Sequence, residues 1–482
     1  MHILLILRIL GILLMLFSLT QLSPLLVSFW FEDGAHKGFI WAFLVTFGCG
    51  LLMWLPVYKK RGELRTRDGF LITALFWTVL GLFGSLPFIL NSNTDLVISE
   101  AVFESVSGLT TTGATVMTHL DELPHSILFY RQQLQWFGGI GIIVIAVAIL
   151  PMLGIGGMQL YRAETPGPVK DSKLTPRITE TAKALFIVYV MLTLSCALAY
   201  WLAGMSSFDA ICHAFSTVAI GGFSTHDDSI GYFDSTAIML ICSFYMLVAG
   251  VNFALHFYAW RNRSISHYFR DSESSFYAGV LLFGCIIVCS FLYYHEHYGI
   301  NDALLHGIFQ TISIATTTGF TTEPFAAWPS FIPFFLIMLS FMGGCAGSTG
   351  GGMKAVRVML IMKQGIRELH QLIHPNAVMP LKVGRRRVEA KVISAVWSFF
   401  AVYVFAFLSI MMALMMCGMD QTTAYSSVVA TLNNLGPGLG DTAANFSSAS
   451  EPEQWILSFS MLLGRLEVFT LLVLLTPAFW RH

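Results

Sequence analysis

The chain has 482 residues, of which 55% are hydrophobic and only 11% charged, and its formal net charge is -1; an ordinary soluble domain carries roughly 25% charged residues. Its mean hydropathy is +0.69. Apolar runs of about 20 residues, enough to cross a hydrocarbon core of roughly 30 Å, recur along the whole sequence, which excludes a soluble enzyme with a single anchor.

The first run, Ile3 to Trp30, is longer than a signal-peptide core and has no small-residue cleavage site after it, so it reads as a retained helix. Later spans are ordered by charge, because cytoplasmic segments are enriched in Lys and Arg. Basic residues cluster at Lys59 to Arg67, Arg162 to Lys183, Arg261 to Arg270 and Lys354 to Lys391, and acidic residues such as Asp95, Asp121, Asp209, Asp302 and Asp441 fall between them. Alternating faces give ten spans, approximately Ile3 to Trp30, Phe39 to Tyr58, Phe70 to Leu90, Ser126 to Leu153, Ala184 to Leu202, Thr236 to Trp260, Phe276 to Tyr294, Pro329 to Lys363 with a break, Val392 to Cys417, and Trp455 to Phe479. Both termini are then expected on the cytoplasmic side. The eight cysteines show neither CxxC spacing nor a His cluster at metal-ligand spacing, so they read as small apolar residues in helices.

After the first two spans, each successive pair is joined on the acidic side by a semi-polar segment, too apolar for a loop and too short to span twice. The four segments, Ser99 to Gly113, Asp209 to Gly222, His306 to Gly319 and Thr423 to Gly436, align on their last glycine. Small residues then coincide at Ala101, Ala210, Gly307 and Ala424, and Ser107, Ser216, Ser313 and Ala430 share a second position. A repeat of roughly 100 residues is far longer than a solenoid repeat, so each unit is expected to be a whole membrane hairpin. Each starts and ends inside, which makes the copies parallel and relates them by an axis along the membrane normal. The expected architecture is an all-α membrane protein with a two-helix segment at 1–69 and four parallel helix, re-entrant loop, helix units at 70–160, 161–262, 263–374 and 375–482 around a pseudo-fourfold pore.

Irregular backbone at membrane depth is tolerated only where protein buries it or where it lines a cavity, so four non-helical loops about one axis are expected to line a passage. Glycine at 113, 222, 319 and 436 admits positive φ and close approach to the axis, and carbonyl oxygens there can replace the water shell of a cation. The residues Gly343 to Gly352 break the second helix of the third unit, each glycine costing about 1 kcal/mol in a helix. No strand precedes this stretch and no Gly-Lys-Ser/Thr ends it, which excludes a phosphate loop. It reads as a flexible plug at Gly344, Cys345, Ala346, Gly347, Ser348, Thr349, Gly350 and Gly351.

Arg465 stands near the middle of an apolar run, where insertion costs about 2.5 to 3.5 kcal/mol. Two roles are open to it: a charge barrier to a permeating cation, of roughly 2 kcal/mol at about 8 Å, or a cap on the carbonyls of the glycine-rich loop. Glu104 in the first segment has His213, Gln310 and Ser427 as its counterparts, so charge is not required at that position.

The segments TTTGATV, AIGGFST, TTTGFTT and NNLGPGL, together with GGCAGSTGGGMKAVR and MLLGRLEVF, resemble the TrkH-type potassium uptake subunits of the Trk/Ktr/HKT superfamily over essentially the full chain. The resemblance implies a selectivity filter at Thr111, Thr112, Gly113, Ile220, Gly221, Gly222, Thr317, Thr318, Gly319, Asn434, Leu435 and Gly436, with potassium as the permeant ion, no organic cofactor, and a gating role for the glycine-rich loop. Glycine at 113 goes with potassium in that family, whereas Asn433, Asn434, Leu435 and Pro437 depart from its threonine-rich pattern and imply less sharp discrimination. It further implies a bacterial inner membrane, a homodimer, a cytosolic nucleotide-binding RCK-type regulatory subunit and no nucleic-acid partner. Potassium uptake through a gated channel-like pore is the expectation, a symporter coupling potassium to protons or sodium is the alternative, and the absence of a Ser/His pair or paired carboxylates argues against an enzyme.

Overall fold

A computed structural model describes residues 2–60, 62, 64–152, 178–295, 298–329, 331–377, 379–384 and 386–481. The expected boundary at 160/161 and the basic residues Arg162, Lys170, Lys173, Arg177 and Arg385 lie outside them. The described chain is mostly helical, its one sheet being a two-stranded ribbon that pairs Lys382–Val383 with Arg386–Arg387.

Among the described residues six helices are long and apolar enough to cross a membrane, and eight spans result if each of two bent pairs counts once. The remaining two of the ten expected are the helix His125–Met152, which Gly141 interrupts at φ 58°, and the broken span of the third unit, whose first helix is only Phe331–Ser340. The N-terminal helices Ile3–Leu19 and His36–Trp54 touch through glycines, a Cβ on Gly11 falling 2.7 Å from the Gly50 carbonyl oxygen. Such small-residue contacts let two backbones approach closely where no hydrophobic force drives them together.

Two runs expected to be continuous are bent. Thr236–Ala249 and Phe253–Arg261 meet at 95°, and Glu451–Arg465 and Phe469–Leu475 at 108°. At the first bend Asn252 caps the second helix through Ala254 N, while the Gly250 carbonyl, freed from the ladder, accepts a hydrogen bond from Cys345 N at 2.8 Å. At the second, Glu467 and Val468 take positive φ of 52° and 59°, so Arg465 ends a helix instead of standing in its middle. Both bends are set by what docks into them, which apolarity does not encode.

Between the long helices lie four short ones, Ile98–Leu109, Ser207–Ala219, Ile300–Ala315 and Gln421–Leu432, buried along most of their length. Glu100, Asp209 and Asp302 occupy the first turn of the first three, and Asp420 caps the fourth by accepting from Thr422 N and Thr423 N. Carboxylates at N-termini match the positive dipole end and leave the negative C-terminal ends to the glycine-bearing loops.

Candidate ion-conducting site

The four short helices end in one backbone geometry. The residue two before each glycine is left-handed, Thr111 at φ 54°, Ile220 at 54°, Thr317 at 68° and Asn434 at 54°, and so is each glycine, at 80°, 78°, 85° and 102°. Side chains disfavour this region by roughly 1–2 kcal/mol, so its fourfold recurrence at non-glycine residues needs support. That support is a pair of backbone bonds repeated in every loop. Thr112, Gly221, Thr318 and Leu435 each donate N–H to the carbonyl five residues back, at Ser107, Ser216, Ser313 and Ala430, and the residue before each donates to the carbonyl three back.

The loops also close on one another. A Cβ on Gly113 would lie 2.1 Å from the Gly221 carbonyl oxygen, one on Gly222 would lie 2.0 Å from that of Thr318, one on Gly319 would lie 2.2 Å from that of Leu435, and one on Gly436 would lie 2.8 Å from that of Thr112. The order of contacts runs first to second to third to fourth to first. A ring of four backbones thus meets where only glycine fits. Its residues that follow the glycines, among them Ala114, Phe223, Thr321 and Pro437, line an open cavity of about 500 Å³ together with Gly113, Gly222, Gly319 and Gly436.

Side chains strap each short helix to the chain leaving its loop. Glu104 accepts from the Thr115 hydroxyl at 3.0 Å and Val116 N at 3.1 Å, His213 Nε2 meets the Ser224 hydroxyl at 2.9 Å, Gln310 Nε2 donates to the Glu323 carbonyl at 2.9 Å, and the hydroxyls of Ser427 and Thr442 lie 3.0 Å apart. Only Glu104 brings charge, and buried Arg131 pairs with it at 2.7 Å while also donating to the Ser224 carbonyl. The departures in the fourth loop have partners of their own: Asn433 bonds Tyr403 and Ser340, and Asn434 Nδ2 reaches the Thr112 hydroxyl at 2.9 Å. The first and third loops instead share a threonine pair, Thr110 with Thr112 and Thr316 with Thr318, each 2.7 Å apart.

The glycine-rich loop meets the ring through the residues that precede its glycines. Gly351 N donates to the Thr317 hydroxyl at 2.8 Å, the Thr349 hydroxyl to the Val218 carbonyl at 3.0 Å, and Gly352 N to the Asn433 carbonyl at 3.0 Å. Arg465 joins it to the first loop, reaching the Thr349 carbonyl at 3.2 Å, the Thr111 hydroxyl at 3.3 Å and the Gly138 carbonyl. Further bonds tie Ala346 N to Glu273 Oε1 at 2.6 Å, the Gly347 carbonyl to Phe253 N at 3.1 Å, the Gly344 carbonyl to Ala355 N at 3.0 Å, and the Ser348 hydroxyl to the Cys345 carbonyl at 2.7 Å. Lys354 Nζ donates to the Gly350 carbonyl at 2.7 Å. Of the residues Gly344 to Gly351, Thr349 bonds Arg465 directly, and Gly351 bonds the third ring loop.

Sequence reasoning missed several charged groups here. Lys354 and Glu273 hold the loop, and Arg357, buried, pairs with Glu467. Glu273 and Arg357 meet partners far away in sequence, which no local spacing signals, whereas Lys354 reaches back only four residues, to a carbonyl of the glycine run itself. At the mouth of the cavity His226 stacks on Tyr232, bonds Asp121 and lies 3.5 Å from Asp209. Burial opposes its charged form, but the two carboxylates outweigh burial and raise its pKa above the usual value. Burial likewise works against the Asp209 carboxylate, and the nearby His226 imidazole with bonds from Ser206 and Thr225 overcomes it and holds its pKa well below the usual value.

Residues 35–481 match a family described as TrkH, cation transport protein. The chain is 58% identical over 477 residues to the "Trk system potassium uptake protein TrkH" of Halomonas elongata, covering 99% of each chain. It is 55% identical over 486 residues to the protein of the same description from Escherichia coli K12, with both chains covered completely. Among solved structures, the crystal structure of the potassium transporter TrkH from Vibrio parahaemolyticus superposes with a TM-score of 0.91 at 52% identity, again over both whole chains.

Proposed function

The chain belongs to the TrkH family of cation transport proteins, and on that premise we propose that it takes up potassium across a bacterial inner membrane through a channel-like pore whose filter is the four-loop ring. The observation that carries this reading is the closed order of glycine-to-carbonyl contacts around the four loops. A ring of backbone oxygens presents to a dehydrated cation what water presents in solution, and the short helices turn their negative ends toward it. Thr111 to Gly113, Ile220 to Gly222, Thr317 to Gly319 and Asn434 to Gly436 supply the oxygens. The loop Gly344 to Gly351 with Arg465 is the gate, and its bonds to all four units support that role.

The test is flux. Full-length protein in liposomes is expected to pass potassium down its gradient with no accompanying proton or sodium movement, and potassium-dependent movement of either ion overturns the channel reading. The symporter alternative keeps one observation in its favour: Lys354 and Glu273 place ionisable groups directly on the loop, where a relay needs them.

The same proposal includes a cytosolic RCK-type subunit and a homodimer, with both termini inside. What supports a docked partner is the helix Ala355–Ile373, which leaves Met362, Ile366, Leu369 and Leu372 exposed at helical spacing within the basic segment. A pull-down with the full chain as bait, repeated with Leu369→Lys and Leu372→Lys, tests it: a partner retained equally by both forms overturns this docking face.

A further inference from the structure

Beside the 95° bend between Thr236–Ala249 and Phe253–Arg261 lies an open cavity of about 1090 Å³. Ordinary small-molecule sites span roughly 300–1,000 Å³, so this is room for something chain-like and large. Its wall is apolar, with Met191, Phe244, Leu247, Trp260, Phe269 and Leu282 on it. The polar groups that do reach it are satisfied internally: His256 donates Nε2–H to the Val248 carbonyl at 2.9 Å, leaving Nδ1 to accept from the Tyr268 hydroxyl at 2.8 Å.

The rim is basic. Arg261 follows Trp260 directly, Arg263 lies two residues further on, and Arg270 follows Phe269. All three are exposed, and none makes an ion pair or hydrogen bond through its side chain among the described residues. The neighbouring acids do not neutralise them: Asp271 is engaged at Ser274 N and Glu273 turns inward to Ala346 N and Val356 N. An apolar cleft between helices, with three exposed arginines close in the chain to its lining residues Trp260, Ile265 and Phe269, is complementary to acyl chains below an anionic headgroup, the combination found where basic pockets meet the anionic leaflet.

We propose that this cavity is a binding site for a membrane phospholipid with an anionic headgroup, its acyl chains lying along the bent helix and its headgroup held by Arg261, Arg263 and Arg270. The lipid covers apolar surface beside the bend and supplies the charge that the arginines lack.

The test uses the full chain, purified in detergent, stripped of lipid and titrated with phosphatidylglycerol or with zwitterionic phosphatidylcholine, bound lipid being counted by native mass spectrometry. One basic side chain near an anionic surface contributes roughly fivefold in affinity, so phosphatidylglycerol is expected to bind about tenfold or more tighter than phosphatidylcholine. Replacing all three arginines (Arg261→Gln, Arg263→Gln, Arg270→Gln) should remove that preference and leave phosphatidylcholine binding unchanged; these side chains are exposed, so the fold does not depend on them. Ala278→Trp, which fills the cavity from the helix Ser272–His295, should reduce both. Equal affinity for the two lipids, or a preference that survives the triple replacement, overturns the proposal. So does an Ala278→Trp protein that keeps its lipid and changes its oligomeric state, which makes the cavity an interface between copies. Binding is read without ion flux, so a failure of the transport reading leaves this result interpretable.

Discussion

The ring and the glycine-rich loop beneath it are both built from glycine and short polar residues, yet they are held in opposite ways. Each ring loop carries its own two backbone bonds, the same pair four times, and is strapped to its own outgoing chain by Glu104, His213, Gln310 or Ser427. The loop Gly344 to Gly351 makes few bonds to itself. It borrows them from Gly250, Phe253, Val218, Glu273, Thr317 and Arg465, each on a different element. A structure that supports itself keeps its shape when neighbours move. One supported by neighbours changes shape when any of them does, which agrees with the filter proposed for the first and the gate proposed for the second.

The sharpest way to break the comparison is to disturb the ring from within. Serine at Gly113 adds a Cβ 2.1 Å from the Gly221 carbonyl at φ 80°, costing about 1–2 kcal/mol in backbone strain alone. Gly113→Ser is therefore expected to lower the potassium-over-sodium permeability ratio by about tenfold or more. Reversal potentials in mixed gradients measure it, and an unchanged ratio removes Gly113 from the filter.

Disturbing the loop should act on rate and not on selectivity. A Cβ on Gly351 would lie 2.0 Å from the Asn433 carbonyl, an overpacking of about 1–3 kcal/mol that falls on the docked arrangement. Resting potassium flux through Gly351→Ala in liposomes should rise about fivefold, with the permeability ratio intact. Flux at background in a folded protein would make the loop a support.

Arg465 tests the junction between the two. Its fork bonds the loop at Thr349 and the ring at Thr111, contacts that favour the tether role and leave its charge acting at the same point. Arg465→Ala should raise resting flux about threefold, corresponding to a hydrogen bond worth about 0.5–1.5 kcal/mol net. Arg465→Lys keeps the charge but not the planar fork, so a pure charge barrier predicts wild-type flux from lysine, whereas the tether predicts flux near that of alanine. Combined with Gly351→Ala, the alanine variant should give less than additive effects; full additivity would place loop and arginine at separate barriers.

How much of this was legible follows from where each signal resides. The glycines of the ring and the glycine run stand out because a repeated backbone demand leaves a repeated residue, and Ser107, Ser216, Ser313 and Ala430 align because one carbonyl does one task four times. Glu104 and His213 share no chemistry, so only their register betrayed a common role, and the strap itself became visible in the contacts. The bends at 249–253 and 465–469 were invisible, since an apolar run reads the same straight or bent and the loop that docks at Gly250 comes from Cys345. Arg465 is in the middle of a run by sequence and at a helix end in space for the same reason.

The smallest expected effect concerns the outer mouth, where the first two units are joined by side chains and not by backbone. His226 bonds Asp121 from the turn Leu120–Glu122 and lies 3.5 Å from Asp209 of the second short helix, with His213 stacked at 6.5 Å and Asp227 accepting from Leu120 N. Its pKa is raised in the fold, so the stabilisation it contributes is complete below the unfolded value of about 6.5 and is lost as pH rises through the folded value. Asp209 has the reverse sign, its lowered pKa adding stability above the unfolded value of about 4 that is lost only as pH falls through its folded value. Between about pH 4 and 6.5 both are engaged, and on the alkaline side the imidazolium alone is lost. The melting temperature of the protein is therefore expected to fall as pH rises above about 6.5, and His226→Gln, neutral throughout, should flatten that part of the profile. Resting flux in the same interval should change by no more than about twofold, because the self-bonded ring does not depend on the strut. An equal melting profile in both proteins would show that this pair of carboxylates does not hold a charged His226, and a large pH-dependent change in selectivity would show that the ring leans on the mouth after all.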